Sequence, residues 1–366
     1  MRDAAWLDWS AIAAGAVAVT ATVLSRVRVR AWWVRIWDFP RVQVASLAAA
    51  ALGALALAHP LPGGPGAHAL TGAVALALAY QAGLIWRYTR FAPREVQRSR
   101  APDPARTLAL VEANVLQTNR DADRLIAVAR GAGGDVLLFV ETDEWWRERL
   151  DAAFGRSHPH ALRCALPNTY GMLLYSRLPL ERTSVDFLVQ DDIPSMQADV
   201  CLPGGRRVWL NAVHPRPPAP GESDDSLPRD AELLVVGARV RDRQETDPRT
   251  PVVVFGDLND VAWSHSTRLF QKTSGLLDPR KGRGFFSTFH ARYPGLRWPL
   301  DHVFFSAHFR LVDMRRLGYT GSDHFPVHLT VCLEPEAVAE QAAPAADRDA
   351  LAEARDTVLE ASRELR

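Results

Sequence analysis

PVVVFGDLND, Pro251 to Asp260, opens as a strand and ends as a cluster of polar groups. Val252, Val253, Val254 and Phe255 form a short β-branched and aromatic run of the kind that lies between covering layers. Gly256 breaks the run, and Asp257, Asn259 and Asp260 follow within four residues. Glycine, aspartate and asparagine also build most turns for conformational reasons alone. The stretch by itself fits either a turn or a site, and the rest of the chain decides between them.

A chain of 366 residues holds one large domain plus an appendage, or two domains. Its net charge of +1 conceals an asymmetry: residues 1–100 carry 11 arginines, no lysine and four acids (Asp3, Asp8, Asp38 and Glu95), so the remainder is acidic. A domain that grips duplex DNA through many phosphates usually presents a basic surface, and this remainder is not basic as a whole. Cys164, Cys201 and Cys332 lie far apart without a Cys-x-x-Cys pair, which excludes a zinc knuckle and a disulfide framework and leaves isolated thiols.

Three alanine-rich apolar stretches, Ala4 to Leu24, Val42 to Ala58 and Ala67 to Trp86, fill the first ninety residues, each near the length that spans a bilayer. Alanine is weakly hydrophobic, and Asp8, Gln43 and Gln81 interrupt the runs, so buried soluble helices are the competing reading. Trp32, Trp33 and Trp37 beside the first two stretches, and Trp86 and Tyr88 after the third, have the placement of interfacial aromatics. Residues 1–90 are therefore expected to be a transmembrane anchor of about three helices, with membrane lipid as its partner. The connection after the first stretch carries Arg26, Arg28, Arg30, Arg35 and Arg41, and Arg87, Arg90, Arg94, Arg98 and Arg100 follow the third; HPLPGGPGAH, between the second and third, has no Lys or Arg. Three spans put both arginine-rich segments on one side, and the positive-inside rule makes that side, with the domain that follows, cytoplasmic.

Residues 91–106, ending in the Pro-containing APDPAR, are expected to be a linker. From Thr107 to Leu333, short apolar runs alternate with helix-like segments such as Asp121 to Arg130 and Arg229 to Val240, the pattern of an α/β domain. Residues 334–366 hold nine acids against four arginines and read as an Ala/Glu-rich tail with a solvated helix from Asp347. DPRKGRG, Asp278 to Gly284, is expected to be a surface loop, since its glycine spacing matches no phosphate-binding loop.

The strand ends carry the functional signal. Asn114 follows LALVEA, Glu141 follows VLLFV, His214 follows VWLNAV, Asp257 and Asn259 follow VVVFG, Asp301 precedes HVFF, and Asp323 and His324 open DHFPVHLTV. Each has a dull explanation alone; six apolar strands each presenting carboxylate, carboxamide or imidazole at an end suit the hydrolysis of a phosphate ester. Such an ester needs a cation on its non-bridging oxygens, a positioned water and donors for the growing negative charge. Mg²⁺ takes carboxylate and carboxamide oxygens and needs only one or two carboxylates, which Glu141, Asp323 and Asn114 supply; Mn²⁺ would fit the same set. His214 and His324 titrate near neutrality, and Asp301 could fix the tautomer of one.

With EANV, LLFVET, YGMLLYSRLPL, NAVHPRPP, VVVFGDLND, PLDHVFFS and GSDHFPV in this order, residues 107–333 resemble the endonuclease/exonuclease/phosphatase superfamily, in its membrane-attached bacterial form. The resemblance implies a four-layer sandwich of two packed β-sheets flanked by helices. It also implies Glu141 as a direct metal ligand, with Asn114 and Asp323 at the metal. Asp257 would activate the attacking water, Asn259 would donate to the phosphoryl oxygen, His324 held by Asp301 would stabilise the pentavalent phosphorus, and His214 would stand by the leaving group. Leu116 departs from the abasic-site endonucleases, which have aspartate there, and this counts against a two-metal site. Substrate stays open between nucleic acid and phospholipid or small phosphodiesters, with membrane attachment favouring the latter. Asp260 is expected to be a turn or surface group. A calcineurin-like phosphoesterase fits GDLND but lacks that fold's Asp-x-His and Gly-Asn-His boxes. A catalytically dead membrane scaffold would have no need of Glu141, Asp257 and His324 together.

Overall fold

The computed structural model describes residues 2–58 and 65–365, so the HPLPGG half of the second connection lies outside the described residues. Eleven strands follow the helical N-terminal segment: β1 (Thr107–Asn114), β2 (Val136–Val140), β3 (His160–Cys164), β4 (Met172–Ser176), β5 (Leu180–Phe187), β6 (Pro194–Cys201), β7 (Arg207–Ala212), β8 (Val252–Asp257), β9 (Asp301–Phe305), β10 (Phe309–Arg316) and β11 (Val327–Leu333). They form a six-stranded sheet, ordered β10-β11-β1-β2-β4-β3, and a five-stranded sheet, ordered β5-β6-β7-β8-β9. Only β1 with β2 and β7 with β8 run parallel, one such pair at the heart of each sheet. The helices are α1 (Arg2–Leu24), α2 (Trp32–Arg35), α3 (Arg41–Ala58), α4 (Pro65–Trp86), α5 (Ala122–Ala132), α6 (Glu144–Phe154), α7 (Leu227–Thr246), α8 (His265–Ser274) and α9 (Arg348–Glu364).

Alternation along the central strands divides the core. Leu108, Leu110, Leu138, Val253, Phe255 and Val303 point between the sheets. Val111, Leu137 and Phe139 face α5 and α6, while Val252, Val254 and Phe304 face α7 and α8. Strands apolar on both faces must be covered on both, and the result is the four-layer sandwich of two packed sheets flanked by helices. The parallel strands β1 and β8 end side by side across the sheets, which gathers the polar groups that terminate them.

The N-terminal helices pack around Ala18, Ala21, Val44, Ala48, Ala51 and Val74, small side chains that let helices approach closely. Arg41 donates to Ser25 Oγ at 2.7 Å, to Gln81 Oε1 at 3.2 Å and to Asp38 at 2.7 Å, and Gln81 donates to Thr22 at 2.9 Å, so Gln81, one of the polar interruptions, is satisfied inside the bundle. Among the described residues, His68–Trp86 is long and apolar enough to cross a membrane; Trp32–Asp38 with Arg41–Leu57 qualifies only as one span bent by 69°, and Trp9–Leu24 is apolar but shorter. Three helices stand where three spans were expected, and among the described residues the first two fall short in length rather than in apolar character.

These helices are joined closely to the sandwich. Trp32 N–H donates to Asp224 O at 3.0 Å, Ser226 N–H to Arg30 O at 3.0 Å, Trp263 Nε1 to Asp38 O at 2.8 Å and Tyr88 Oη to Ala262 O at 2.7 Å. Within the expected linker, Val96 is fully buried between the sheets and Glu95 accepts from Asp278 N at 2.7 Å and Lys281 Nζ at 2.8 Å. DPRKGRG is accordingly no surface loop: Asp278 and Arg280 form a fully buried ion pair. The tail also departs from expectation. Ala350, Ala354, Val358 and Ala361 recur at helical spacing and pack on Leu234, Leu269, Leu227 and Ala231, and the opposite charges of α9 meet Arg28 and Arg30, with Glu353 at 3.5 Å and Glu360 at 2.9 Å. The three cysteines are unpaired.

Candidate active site

Register places the first two residues. Asp257, the last residue of β8, stands directly opposite Asp301, the first of β9. Gly256 holds φ at 142°, and a Cβ there would lie 2.0 Å from the Val213 carbonyl oxygen. Only glycine allows the end of β8 to press so closely on the chain leaving β7, and that contact brings His214 to the same corner.

His324 closes the group. Its Nδ1 lies 2.8 Å from Asp301 Oδ2 and its Nε2 3.6 Å from Asp257 Oδ2. Burial alone would lower its pKa, but the charges of Asp301 and Asp257 and the hydrogen bond to Asp301 outweigh burial and push it up to about 10. The ring is therefore an imidazolium at neutral pH. Burial acts to raise Asp257, and the His324 charge, with hydrogen bonds from the Asn259 amide and Asn114, overcomes it, holding that carboxylate below its usual range.

Asn114, at the end of β1, ties the two sheets together: its Nδ2 donates to Glu141 Oε1 at 2.7 Å and to Asp257 Oδ2 at 3.0 Å, while its Oδ1 accepts the Leu116 amide at 2.9 Å. Glu141 adopts φ 61° just past β2 and accepts the Gln117 amide at 3.2 Å; burial pushes its pKa up to about 7. Asn259, at φ 52°, donates its amide N–H to Asp257 Oδ1 at 2.9 Å and its Nδ2 to Pro215 O at 3.0 Å. His214 is buried against Tyr170 with ring centroids 5.4 Å apart, its Nδ1 has no hydrogen-bond partner, and burial lowers its pKa. Asp323 is half-buried and lines, with Glu141, Asn259 and His324, a cavity of about 580 Å³.

All eight residues expected at the site thus meet at one edge of the sandwich. Asp260 does not follow its expectation as a turn or surface group. It is 1% exposed, accepts from the Val261 amide at 2.8 Å and the Ser264 hydroxyl at 2.5 Å, and lies 3.4 Å from Arg229. Glu112, two residues before Asn114 on the same face of β1, escaped the sequence reading. It sits fully buried behind Asp301, and burial, then the Asp301 and Asp257 charges, holds its carboxyl well above the usual range. A single acid inside the apolar run LALVEA was its one visible signal.

The donor set suits a hard cation. Asp257, Asp301 and His324 offer ligand atoms within 4.8 Å of one another, but Asp301 Oδ2 and His324 Nδ1 already bond each other. Glu141 and Asp323 are the acidic oxygen donors that line the cavity, and an oxygen-only set of this kind fits a divalent metal that retains waters.

A search of curated proteins finds no match. Among solved structures, the chain is similar to TDP2 of D. rerio complexed with a single-strand DNA product (TM-score 0.51, 15% identity, covering 62% of this chain and 98% of that one). It is similar to an endonuclease/exonuclease/phosphatase from Beutenbergia cavernae (TM-score 0.49, 21% identity, 63% and 72% covered) and to sphingomyelinase C from Streptomyces griseocarneus (TM-score 0.48, 17% identity, 61% and 99% covered). The model of the Endonuclease/Exonuclease/phosphatase family matches residues 108–324, from the start of β1 to His324. Strand order, the convergence of the strand ends and that match over more than half the chain agree, and the chain belongs to the endonuclease/exonuclease/phosphatase family.

Proposed function

We propose that this protein is a membrane-anchored, divalent-metal-dependent phosphoesterase that cleaves a phosphodiester or phosphomonoester by in-line attack of water, without a covalent intermediate. The observation that carries the reading is the pairing of Asp257 with Asp301 across β8 and β9, with the His324 ring between them. One anionic carboxylate and one imidazolium, held by a second carboxylate, form a matched base and acid at the mouth of a cavity.

In this reading Asp257 orients the attacking water and accepts its proton. Its anionic form is secured by His324 and by the Asn259 and Asn114 donors. His324 directs Nε2–H toward a phosphoryl oxygen and neutralises the charge that grows there, while Asp301 fixes the ring. Asn259 adds a second donor, and His214, neutral at pH 7, stands by the leaving-group oxygen. Glu141 and Asp323 would hold Mg²⁺ or Mn²⁺, with Asn114 orienting Glu141. The cation, when bound, supplies charge on the non-bridging oxygens. The α1–α4 helices would attach the enzyme to the membrane as residues 1–90, ahead of a catalytic unit over 107–333, and arginine placement favours the cytoplasmic face for that unit.

The test uses the full chain in detergent with bis(p-nitrophenyl) phosphate, p-nitrophenyl phosphate and supercoiled plasmid, with Mg²⁺ and with EDTA. Hydrolysis of at least one, lost in EDTA and lowered a hundredfold or more in Asp257→Asn and His324→Ala, is expected. Hydrolysis that survives EDTA or either substitution refutes the assignment.

A further inference from the structure

One wall of the catalytic cavity does not come from the sandwich. It is the connection between α1 and α3, which contributes Trp32, Ile36, Phe39 and Pro40 to a lining that also holds Phe289, Leu296 and Trp298. The wall is firmly seated: Phe39 meets Trp298 edge-on at 5.7 Å, and Asp38 O accepts the Trp263 indole N–H at 2.8 Å. The cationic side chains on this lining are both paired: Arg35 lies 3.2 Å from Asp38, and His324 is held by Asp301 and Asp257.

The rim of the same cavity is apolar and faces outward. Ile36 and Leu296, which line it, are each 51% exposed, and Trp33 and Tyr293, three residues before each in the chain, are 54% and 57% exposed. Gln43 Nε2 donates to Gly295 O at 2.8 Å, which rests the tip of the loop carrying Leu296 on the first turn of α3. The cavity therefore opens where the apolar helix bundle meets the sandwich, between two exposed aromatic and aliphatic edges of the kind found at a membrane interface.

We propose that this chamber seats the hydrocarbon part of a lipid phosphate ester drawn from the bilayer, with its phosphate reaching Glu141, Asp323 and His324; the inference rests on the phosphoesterase reading. A nucleic acid would need unpaired cations along its track, and this lining offers none among the described residues. A small polar phosphate ester would gain nothing from the wall of Trp32, Ile36 and Phe39. A hydrocarbon chain exchanges one apolar environment for another, and the geometry carries it from the end of the helix bundle to the metal-ligand carboxylates without crossing the polar face of the sandwich.

The experiment offers the full chain, in nanodiscs with Mg²⁺, p-nitrophenyl phosphodiesters whose second ester group runs from methyl through butyl to hexyl. Each buried methylene should raise kcat/KM about fourfold until the chamber is filled. Ile36→Glu and Leu296→Glu, at half-exposed positions that tolerate charge, should flatten that slope. Equal turnover across the series, abolished in Glu141→Gln, would overturn the lipid chamber and leave the phosphoesterase reading standing. If no ester is turned over, tryptophan fluorescence titrations with methyl and octyl phosphate decide. Tighter binding of octyl phosphate, weakened by Ile36→Glu, keeps the chamber and removes the hydrolase; equal binding removes both.

Discussion

Glu112 and Asp301 are neighbours at the closed end of the site, 1% and 2% exposed, and neither the carboxyl oxygens of Glu112 nor Asp301 Oδ1 has a partner elsewhere. Two buried carboxyl groups in such proximity cannot both ionise cheaply. Glu112 is the one held above its usual range, so it carries a proton that it can offer to Asp301, whose Oδ2 faces His324 Nδ1 at 2.8 Å. Glu112→Gln preserves a donor at that place and should cost less than about tenfold in kcat, whereas Glu112→Ala, which leaves Asp301 without it, should cost at least about tenfold more. Steady-state kinetics on the two variants separates them; equal rates would remove Glu112 from the arrangement.

The charge on His324 depends on Asp301. In Asp301→Asn the pKa that the two carboxylates push up to about 10 should fall, and the basic limb of the pH–rate profile should move to lower pH together with a loss in kcat of about a hundredfold. An unmoved basic limb would mean that another group controls it.

Metal binding should be visible without turnover. Thermal melting of the full chain should rise with millimolar Mg²⁺, by the equivalent of about 2.7 kcal/mol at a hundredfold excess over Kd. Glu141→Gln should remove most of the shift, since the carboxylate on the cavity becomes a neutral amide. A shift that survives would place the cation elsewhere.

Glu232 makes stability depend on pH far from the site. It is buried with Ser195 Oγ donating to it at 2.8 Å, and burial pushes its pKa up from 4.5 to about 8. The folded state thus favours the protonated acid. This contribution is fully present below the unfolded pKa and is lost as pH rises through about 8. Glu232→Gln, which keeps an acceptor for Ser195, should flatten the profile of urea midpoints between pH 5 and 8.5 and be more stable than the parent at the upper end. Parallel profiles for the two proteins would contradict this.

Gly256→Ala is expected to destabilise by at least about 2 kcal/mol, because its Cβ would lie 2.0 Å from the Val213 carbonyl oxygen at φ 142°. Denaturant unfolding of the variant measures this directly.

The strands and the eight polar residues at their ends were readable because both depend on local pattern: short apolar runs make the strands, and a polar group at the end of an apolar strand is conspicuous in one dimension, whereas the four-layer sandwich followed only from the family resemblance. Glu112, Asp260 and the Asp278–Arg280 pair were not, since a charge inside a core is legible only from the partner that the fold brings to it. Asp260 finds Arg229 at 3.4 Å from a helix 31 positions earlier in the chain. The cavity wall was hidden for a different reason. WWVRIWDFPR announces an interface by composition, and nothing in its pattern says that it will lie across the site of a domain that begins beyond residue 100.

Time order follows from the way α9 reaches back to Arg28 and Arg30. The connection precedes every strand of both sheets in the chain, and its acidic counterparts Glu353 and Glu360 follow them all. The helices can therefore form while the connection still lacks these two ion pairs. Each pair is partly exposed, at 73% and 33% for Arg28 with Glu353 and 34% and 46% for Arg30 with Glu360, and pairs of this kind contribute at most about 1 kcal/mol. They act as alignment marks that join the segment before the sandwich to the helix after it.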